Sequence, residues 1–339
     1  MHFSTTLIAI LAATPALLAN AQRLQKNVIG GPHTDRFLSE IWDTMKPPKS
    51  TNKLLEGGKY PAACKAEAER TGCNVKDTKT YQVTYADCPN QPWTVCRCGD
   101  PPTSLDAQLD LFARLPVKAR VHVRHLMNFP GWKGKTGVAA YAIGPDFALV
   151  SDVGKNFAIM VHEVAHVLDK GKSKSKEFQD AFNKDSCVLS DYALTGMAEN
   201  FAVIAPLIMI ETLNPAGWPK IKANLKMDCM MNQYNYVRNA FFEMFKPGGT
   251  CPPRVEVDSP FVTRRSLRVR ENKVFEPIVE EHHNGPFLSK RELEMFARSS
   301  EPESSPDGEE EYTLYDAEEE DYESTELSQD EETEWSMVA

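Results

Sequence analysis

The residues best suited to chemistry lie in one short segment, His162-Glu163-Val164-Ala165-His166. Residues four apart lie on the same face of a helix, so His162 and His166 can present two imidazoles to one cation. Glu163 lies beside them, where a carboxylate can take a proton from a water on the same cation. The spacing therefore predicts a zinc site with Glu163 as general base.

Apolar residues flank this segment on both sides, at 157–161 and at 167–168. They predict a buried helix over Asn156–Asp169 that is ended by Gly171. Burying two histidines and a glutamate among apolar residues is unfavourable unless the groups are paired or bind a metal. A metal site is therefore favoured over two core histidines that are satisfied by hydrogen bonds.

A catalytic zinc needs a third protein ligand and an open position for water. The metzincin extension is excluded, because Asp169 and Lys172 stand where that motif needs Gly and His. Glu199 is the favoured ligand, because it lies near the start of a predicted apolar helix, where a charge needs a partner. Glu211 is the second candidate. Asp191 would be the ligand in a deuterolysin-like enzyme, but the Gly-Thr-rich motif expected of that class is missing.

A second motif carries a resemblance to a known family. Tyr192-Ala193-Leu194-Thr195, followed by Glu199-Asn200-Phe201-Ala202, resembles the second motif of the anthrax lethal factor-type zinc peptidases. In that family a tyrosine precedes the ligand glutamate by seven residues, as Tyr192 precedes Glu199. The first motif is similar too, including Asp169 after the second histidine. The resemblance covers at most residues 136–213 and departs in the spacing between the motifs.

The resemblance implies an α+β, zincin-like domain in which His162, His166 and Glu199 bind zinc. It also implies that Glu163 is the base and that the Tyr192 hydroxyl assists the transition state. The partner would be a peptide or protein substrate, although substrate preference is not carried over. The strand around 137–143, or its neighbour, could pair with an extended peptide by edge addition.

The start of the chain predicts export. Residues 1–21 contain no Asp, Glu, Lys or Arg, and an apolar run from Leu7 to Leu18 precedes the small residues Ala19-Asn20-Ala21. This pattern is typical of a signal peptide, so the mature chain is expected to begin near Gln22 and to be extracellular. No later apolar run reaches 18 residues, and no aromatic-plus-basic platform is present. Neither a membrane span nor a nucleic-acid partner is therefore expected.

The eight cysteines agree with export, because an even number in a secreted chain predicts disulfides. Five of them precede residue 101, so at least one bridge must join the two parts if all eight pair. A weaker alternative is a metal site at Cys88, Cys96 and Cys98. The signal, the cysteines and the histidine helix together resemble the secreted conidiation-specific proteins of filamentous fungi.

Composition divides the chain into a signal peptide (1–21), a cysteine-rich N-terminal part (22–100), a zincin-like catalytic domain (101–252), a connector (253–300) and an acidic tail (301–339). The tail holds 17 acidic residues and no Lys or Arg, whereas the mature chain before it has a net charge of +7. Such a segment buries too little apolar surface to fold, so disorder is expected. It either covers a basic groove or, as favoured, keeps the protein soluble.

Further elements follow from periodicity and turn signals. They are a helix from Thr103 or Ser104 through Leu115, a strand over Val117–Val123, a strand-turn-strand unit around Gly144-Pro145-Asp146, a Lys/Ser-rich loop after Gly171, a helix from Thr195 towards Leu213 with a kink at Pro206, and a helix over Met231–Phe245.

These patterns favour a secreted zinc peptidase. The alternative from another class is a non-catalytic zincin-fold protein that binds at the cell wall or spore surface. The presence of Glu163 favours the enzyme, because a binding module needs no base beside the metal. The oligomeric state does not follow from the sequence.

Overall fold

A computed structural model describes residues 24–29, 45–133, 137–154 and 156–263. The predicted signal peptide and the predicted acidic tail lie outside the described residues. Helices and strands alternate irregularly in the described part, which confirms the α+β class. None of the helices in this part is long and apolar enough to cross a membrane.

The strands and helices of the described residues are numbered here in chain order. The strands are β1 (Asn27–Val28), β2 (Ser50–Leu54), β3 (Lys59–Pro61), β4 (Thr78–Tyr85), β5 (Cys88–Cys98), β6 (His125–Asn128), β7 (Ala140–Ile143), β8 (Asp146–Leu149), β9 (Cys187–Val188) and β10 (Phe261–Thr263). The helices are α1 (Ala62–Thr71), α2 (Leu105–Arg114), α3 (Val117–Arg120), α4 (Phe157–Asp169), α5 (Lys176–Lys184), α6 (Met197–Leu213), α7 (Trp218–Asn224) and α8 (Met231–Phe245).

Six strands form one sheet in the order β2-β4-β5-β6-β8-β7. β2, β4 and β5 pair antiparallel, while β6 pairs parallel with both β5 and β8. The edge strand β7 pairs antiparallel with β8 through a tight turn. Gly144 in that turn has a φ of 54°, a conformation that favours glycine. The predicted strand-turn-strand unit is therefore confirmed.

The sheet crosses the boundary that composition placed at residue 100. β5 lies before this boundary and pairs with β6, which lies after it. Trp93 and Val95 of β5 also belong to the same buried cluster as Phe157 of α4. The predicted division into an N-terminal part (22–100) and a catalytic domain (101–252) does not correspond to two structural units, because both segments contribute to one sheet and one core. The early strands need the later helices to bury their apolar face.

The sheet separates two buried clusters. On one face Leu126, Phe147 and Leu149 pack in the larger cluster, together with apolar residues of α4 and α6. On the opposite face Met127 and Ala148 pack in a smaller cluster that includes residues of α1. Successive residues of a strand point to opposite faces, so the central strands are buried on both sides. α4 therefore lies in a layer between the sheet and α6.

Most of the predicted helices are confirmed. α2, α4 and α8 have bounds within one or two residues of those expected. Ser104 begins α2 as expected, since its hydroxyl accepts the Ala107 N–H at 3.1 Å. α6 begins at Met197, two residues later than expected, and includes Pro206.

Two local predictions are wrong. The expected strand over Val117–Val123 contains helix α3, because Pro116 begins a helical turn and the residues around it are buried on all sides rather than alternately. The expected Lys/Ser-rich loop contains α5, which begins where the Ser175 hydroxyl accepts the Phe178 N–H. Phe178 and Phe182 form the apolar stripe that holds α5 on the core.

All eight cysteines form disulfides, namely Cys64–Cys96, Cys73–Cys98, Cys88–Cys251 and Cys187–Cys229. Cys88–Cys251 is the bridge between the two parts that parity predicted. A metal site at Cys88, Cys96 and Cys98 is ruled out, because each of these sulfurs is bonded to another sulfur.

Residues 251–263 form an extended strap across the sheet. The Arg254 guanidinium donates to the main-chain carbonyl of Arg124 at 2.6 Å, and Asp258 accepts the Thr94 hydroxyl at 2.5 Å. At the end of the strap, β10 pairs with β3. The first part of the predicted connector (253–300) is therefore packed against the fold, and the rest lies outside the described residues.

Candidate metal centre

α4 carries the first motif and is buried along nearly its whole length. It ends where Lys170 and Gly171 adopt left-handed conformations, with φ values of 47° and 84°. An apolar helix of this kind packs on all sides, here between the sheet and α6. His162 and His166 lie on one face, as the spacing predicted, and their ring centroids are 4.8 Å apart.

α6 brings the third residue to this face. Tyr192–Thr195 forms a short 3-10 turn, Gly196 follows in an extended conformation, and α6 starts at Met197. Glu199 thus lies in the first turn of α6, where the helix dipole favours a negative charge. Its side chain is 6% exposed and faces the two histidines.

The donor atoms of His162, His166 and Glu199 converge on one point. Glu199 Oε2 lies 3.0 Å from His162 Nε2 and 3.2 Å from His166 Nε2, and the two nitrogens are 3.1 Å apart. A tetrahedral zinc with bonds of about 2.0–2.1 Å would hold its ligand atoms about 3.3 Å apart. Two imidazole nitrogens and one carboxylate oxygen are also ligands that zinc prefers, and they leave the fourth position for water. The donor set therefore fits a catalytic zinc.

The buried Glu199 carboxylate is stabilised by positive charge at the point where the three donor atoms converge. Burial lowers the pKa of His166, but the Glu199 carboxylate outweighs burial and raises that pKa to about 9. Burial opposes ionisation of Glu199, yet the two imidazoles hold its pKa well below the usual range. Among the protein groups alone, the carboxylate is balanced by a proton on a histidine. A divalent cation at the same point would supply that positive charge instead.

Glu163 lies next to the three donor atoms but is not one of them. It is 6% exposed. Burial raises its pKa to about 8, with His166 opposing the shift and Glu199 adding to it. A carboxylate whose pKa is raised towards neutrality accepts and releases a proton readily, which suits a general base.

Tyr192 lies next to His162, and the centroids of the two rings are 5.7 Å apart. Burial raises the pKa of its hydroxyl strongly, and the nearby carboxylates of Glu199 and Glu163 raise it further. The hydroxyl therefore stays protonated and can act as a hydrogen-bond donor. The structure thus brings together all five residues singled out by the two motifs.

The competing carboxylates lie elsewhere or have other partners. Glu211 accepts the Tyr234 hydroxyl at 2.6 Å and the Arg238 guanidinium at 2.8 Å. Asp191 precedes the turn of Tyr192 and is not part of the three-residue donor cluster. Asp169 accepts the main-chain N–H of Ser173 at 2.7 Å and closes the turn after α4.

A buried polar network behind Glu199 was missed by sequence reasoning. Asn200 donates its amide N–H to Gln233 Oε1 at 2.6 Å, and Gln233 donates to Asp185 at 2.9 Å. Asp185 also accepts two main-chain N–H groups at the start of α8. These residues are far apart in the chain and show no periodic pattern, so no local signal connects them. The network ties α6, which carries Glu199, to the start of α8.

Comparisons with known proteins bear on the family. The family model for conidiation-specific protein Con-13 matches residues 42–258, which include every residue of the candidate centre. Conidiation-specific protein 13 of Neurospora crassa is 27% identical over 272 residues, covering 74% of this chain and 74% of that protein. No solved structure matches the chain. The resemblance to conidiation-specific proteins is thereby confirmed, and the chain belongs to the Con-13 family.

Proposed function

We propose that this chain is a zinc-dependent peptidase with a zincin-like catalytic fold. The observation that carries the proposal is the convergence of His162, His166 and Glu199 on one buried point beside Glu163. Two imidazole nitrogens and a carboxylate oxygen that lie within about 3 Å of one another in a buried position are best explained by a cation that they share. The imidazole and carboxylate donors favour zinc over magnesium or calcium, which prefer oxygen ligands.

A zinc ion held by His162, His166 and Glu199 would lower the pKa of a bound water and polarise the carbonyl of the peptide bond. Glu163 takes the proton from the attacking water and later delivers it to the leaving amine. Its buried position keeps bulk water from competing for that proton. The Tyr192 hydroxyl, held protonated beside Glu199, donates a hydrogen bond to the oxyanion of the tetrahedral intermediate.

β7 is the strand best placed to bind an extended substrate. It is one of the two edge strands of the sheet in the described part, and it lies beside α4. Ala140 and Ala142 face the α4 side and pack against the larger cluster with their small side chains. A peptide added to the open edge would pair through main-chain hydrogen bonds, while its side chains alternate between the two faces.

We also propose that the protein acts outside the cell. The predicted signal peptide at residues 1–21 and the four disulfides support this, because disulfides persist in oxidising compartments. The substrate is then an extracellular or cell-surface peptide or protein.

The test uses the mature protein from Gln22, with metal content measured by mass spectrometry and hydrolysis measured on a peptide library. Glu163→Gln should retain zinc and the fold but lose hydrolysis by several orders of magnitude, because only the base is removed. Glu177→Gln is the matched control, since Glu177 is exposed on α5. Equal hydrolysis by Glu163→Gln and the parent would overturn the mechanism. A parent that binds zinc but hydrolyses nothing would favour the non-catalytic binding protein.

A further inference from the structure

Four side chains form a cluster behind β7, on the face of the sheet opposite α4. Glu67 and Arg70 come from α1, Trp132 follows β6, and Tyr141 lies in β7. We call these four residues the brace. Tyr141 is 6% exposed and Glu67 is 8% exposed, so the contact between α1 and β7 is largely shielded from water.

The contacts within the brace are charge-assisted and directional. The Tyr141 hydroxyl donates to Glu67 Oε2 at 3.0 Å, and the Arg70 guanidinium donates to the same oxygen at 2.6 and 2.8 Å. The guanidinium carbon lies 4.1 Å from the Trp132 ring centroid and 4.6 Å from that of Tyr141. Hydrogen bonds to ionised groups are among the stronger polar interactions in proteins, and the cation–π contacts of Arg70, whose side chain is 31% exposed, add to them.

α1 is itself firmly attached to the centre of the sheet. Cys64 near its start and Cys73 just after its end are bonded to Cys96 and Cys98 of β5. The Thr71 carbonyl also accepts the Lys133 N–H at 2.9 Å, which ties the loop before β7 to the end of α1. The brace therefore connects β7 to a rigid, disulfide-linked helix rather than to a mobile segment.

β7 needs such support if it is to bind a substrate. It has four residues, and its ladder partner in the described part of the chain is β8, which is equally short. Short edge strands open easily, because few hydrogen bonds and contacts hold them. A peptide that pairs with a frayed edge must first order it, and that cost weakens binding.

We infer that the brace positions β7 as the substrate-binding edge and thereby sets substrate affinity. Glu67, Arg70 and Tyr141 act as positioning residues, since they lie on the face opposite the metal centre. The inference rests on the proposed peptidase function. It assigns the disulfide-linked N-terminal helix a role in recognising an extended peptide, while the chemical step depends on α4 and α6.

The test compares Tyr141→Phe with the matched control Tyr85→Phe. Tyr85 also donates a buried hydrogen bond, to the Leu109 carbonyl at 3.2 Å, but it lies in β4 at a distance from β7. Tyr141→Phe should raise KM roughly 3- to 10-fold, with kcat and zinc content unchanged. Amide hydrogen exchange at residues 140–143 should also become faster. Arg70→Lys, which keeps the charge but loses the planar fork, should shift KM in the same direction.

Two results would overturn the inference. One is an active Tyr141→Phe variant whose KM equals that of the parent, and the other is unchanged exchange at residues 140–143. Tyr85→Phe should alter neither quantity, so an equal effect there would mean a general loss of stability. Failure of the proposed function is distinguishable, because the parent itself would then hydrolyse no peptide. The exchange measurement still decides in that case whether the brace holds β7.

Discussion

Glu199 Oε2 lies 3.0 Å from His162 Nε2, although 37 residues separate the two in the chain. The contact joins the first turn of α6 to the middle of α4, and it closes the set of donor atoms begun by the two histidines. It also places Glu199, rather than Glu211, beside the two histidines in the candidate metal centre. Metal binding is thus predicted to depend on the packing of two helices.

The first prediction separates the two glutamates. Glu199→Ala should reduce zinc affinity by at least about tenfold, because one of three protein ligands is lost. Glu211→Ala should keep zinc but lower the free energy of unfolding, because the Tyr234 hydroxyl and Arg238 lose their acceptor. Zinc titration and urea unfolding of both variants measure these effects. Zinc loss in Glu211→Ala with full binding in Glu199→Ala would reverse the assignment.

The second prediction concerns Tyr192. Tyr192→Phe should keep zinc and KM but lower kcat by about 10²-fold, because the hydroxyl donates to the oxyanion mainly in the transition state. Steady-state kinetics on one peptide is the measurement. Tyr236→Phe is a suitable control. The Tyr236 hydroxyl forms a hydrogen bond of 2.8 Å with the Ser175 hydroxyl, and Tyr236 is not part of the donor cluster. An unchanged kcat in Tyr192→Phe would leave the tyrosine with a packing role.

The third prediction concerns acid stability through Asp146. Burial raises its pKa, but hydrogen bonds from Arg124 and His125 outweigh burial and hold the pKa below its usual value. A folded-state pKa below the unfolded value of about 3.9 stabilises the fold above that pH, and this stabilisation is lost as pH falls through the folded-state pKa. Asp146→Asn should therefore cost about 2–3 kcal/mol at pH 7 and up to about 1 kcal/mol less at pH 3, because only the part of the cost that comes from the pKa difference is lost.

Urea unfolding of the parent and of Asp146→Asn at both pH values measures this difference. Asp110→Asn serves as the control, because Asp110 is half exposed in its pair with Arg114 and should contribute little. A stability difference for Asp146→Asn that stays constant between the two pH values would contradict the assigned titration.

The fourth prediction separates two disulfides by their effects. Removing Cys88–Cys251 with a double Ala variant should cost about 2–5 kcal/mol and expose the strap to proteolysis, but leave zinc affinity unchanged. Removing Cys187–Cys229 should also weaken zinc binding, because the Cys187 carbonyl accepts Gln233 in the network behind Glu199. Unfolding curves and zinc titration of both variants provide the comparison. Equal zinc affinities of the two double variants would mean that this network does not affect zinc binding.

Much of the candidate centre could be predicted from local patterns. The apolar flanks and the four-residue spacing of His162 and His166 define a helix and its functional face within thirteen residues. The apolar helix around Glu199 also favours this residue as a ligand, because a carboxylate there needs a partner, and this pattern too involves only neighbours in sequence. Val117–Val123 differs, because apolar and polar residues alternate there as in a strand, whereas the polar Arg120 is fully buried in helix α3.

The sequence alone therefore determined the chemical groups, the helices that carry them and the parity of the cysteines, because each depends on residues close together in the chain. The tertiary structure decided which carboxylate meets the histidines, which of 105 connectivities the eight cysteines adopt, and that one sheet continues across residue 100. It also decided that α1 reaches Tyr141 behind β7. These pairings depend on how the apolar surfaces of all elements are buried together, and this burial involves residues that are far apart in the chain.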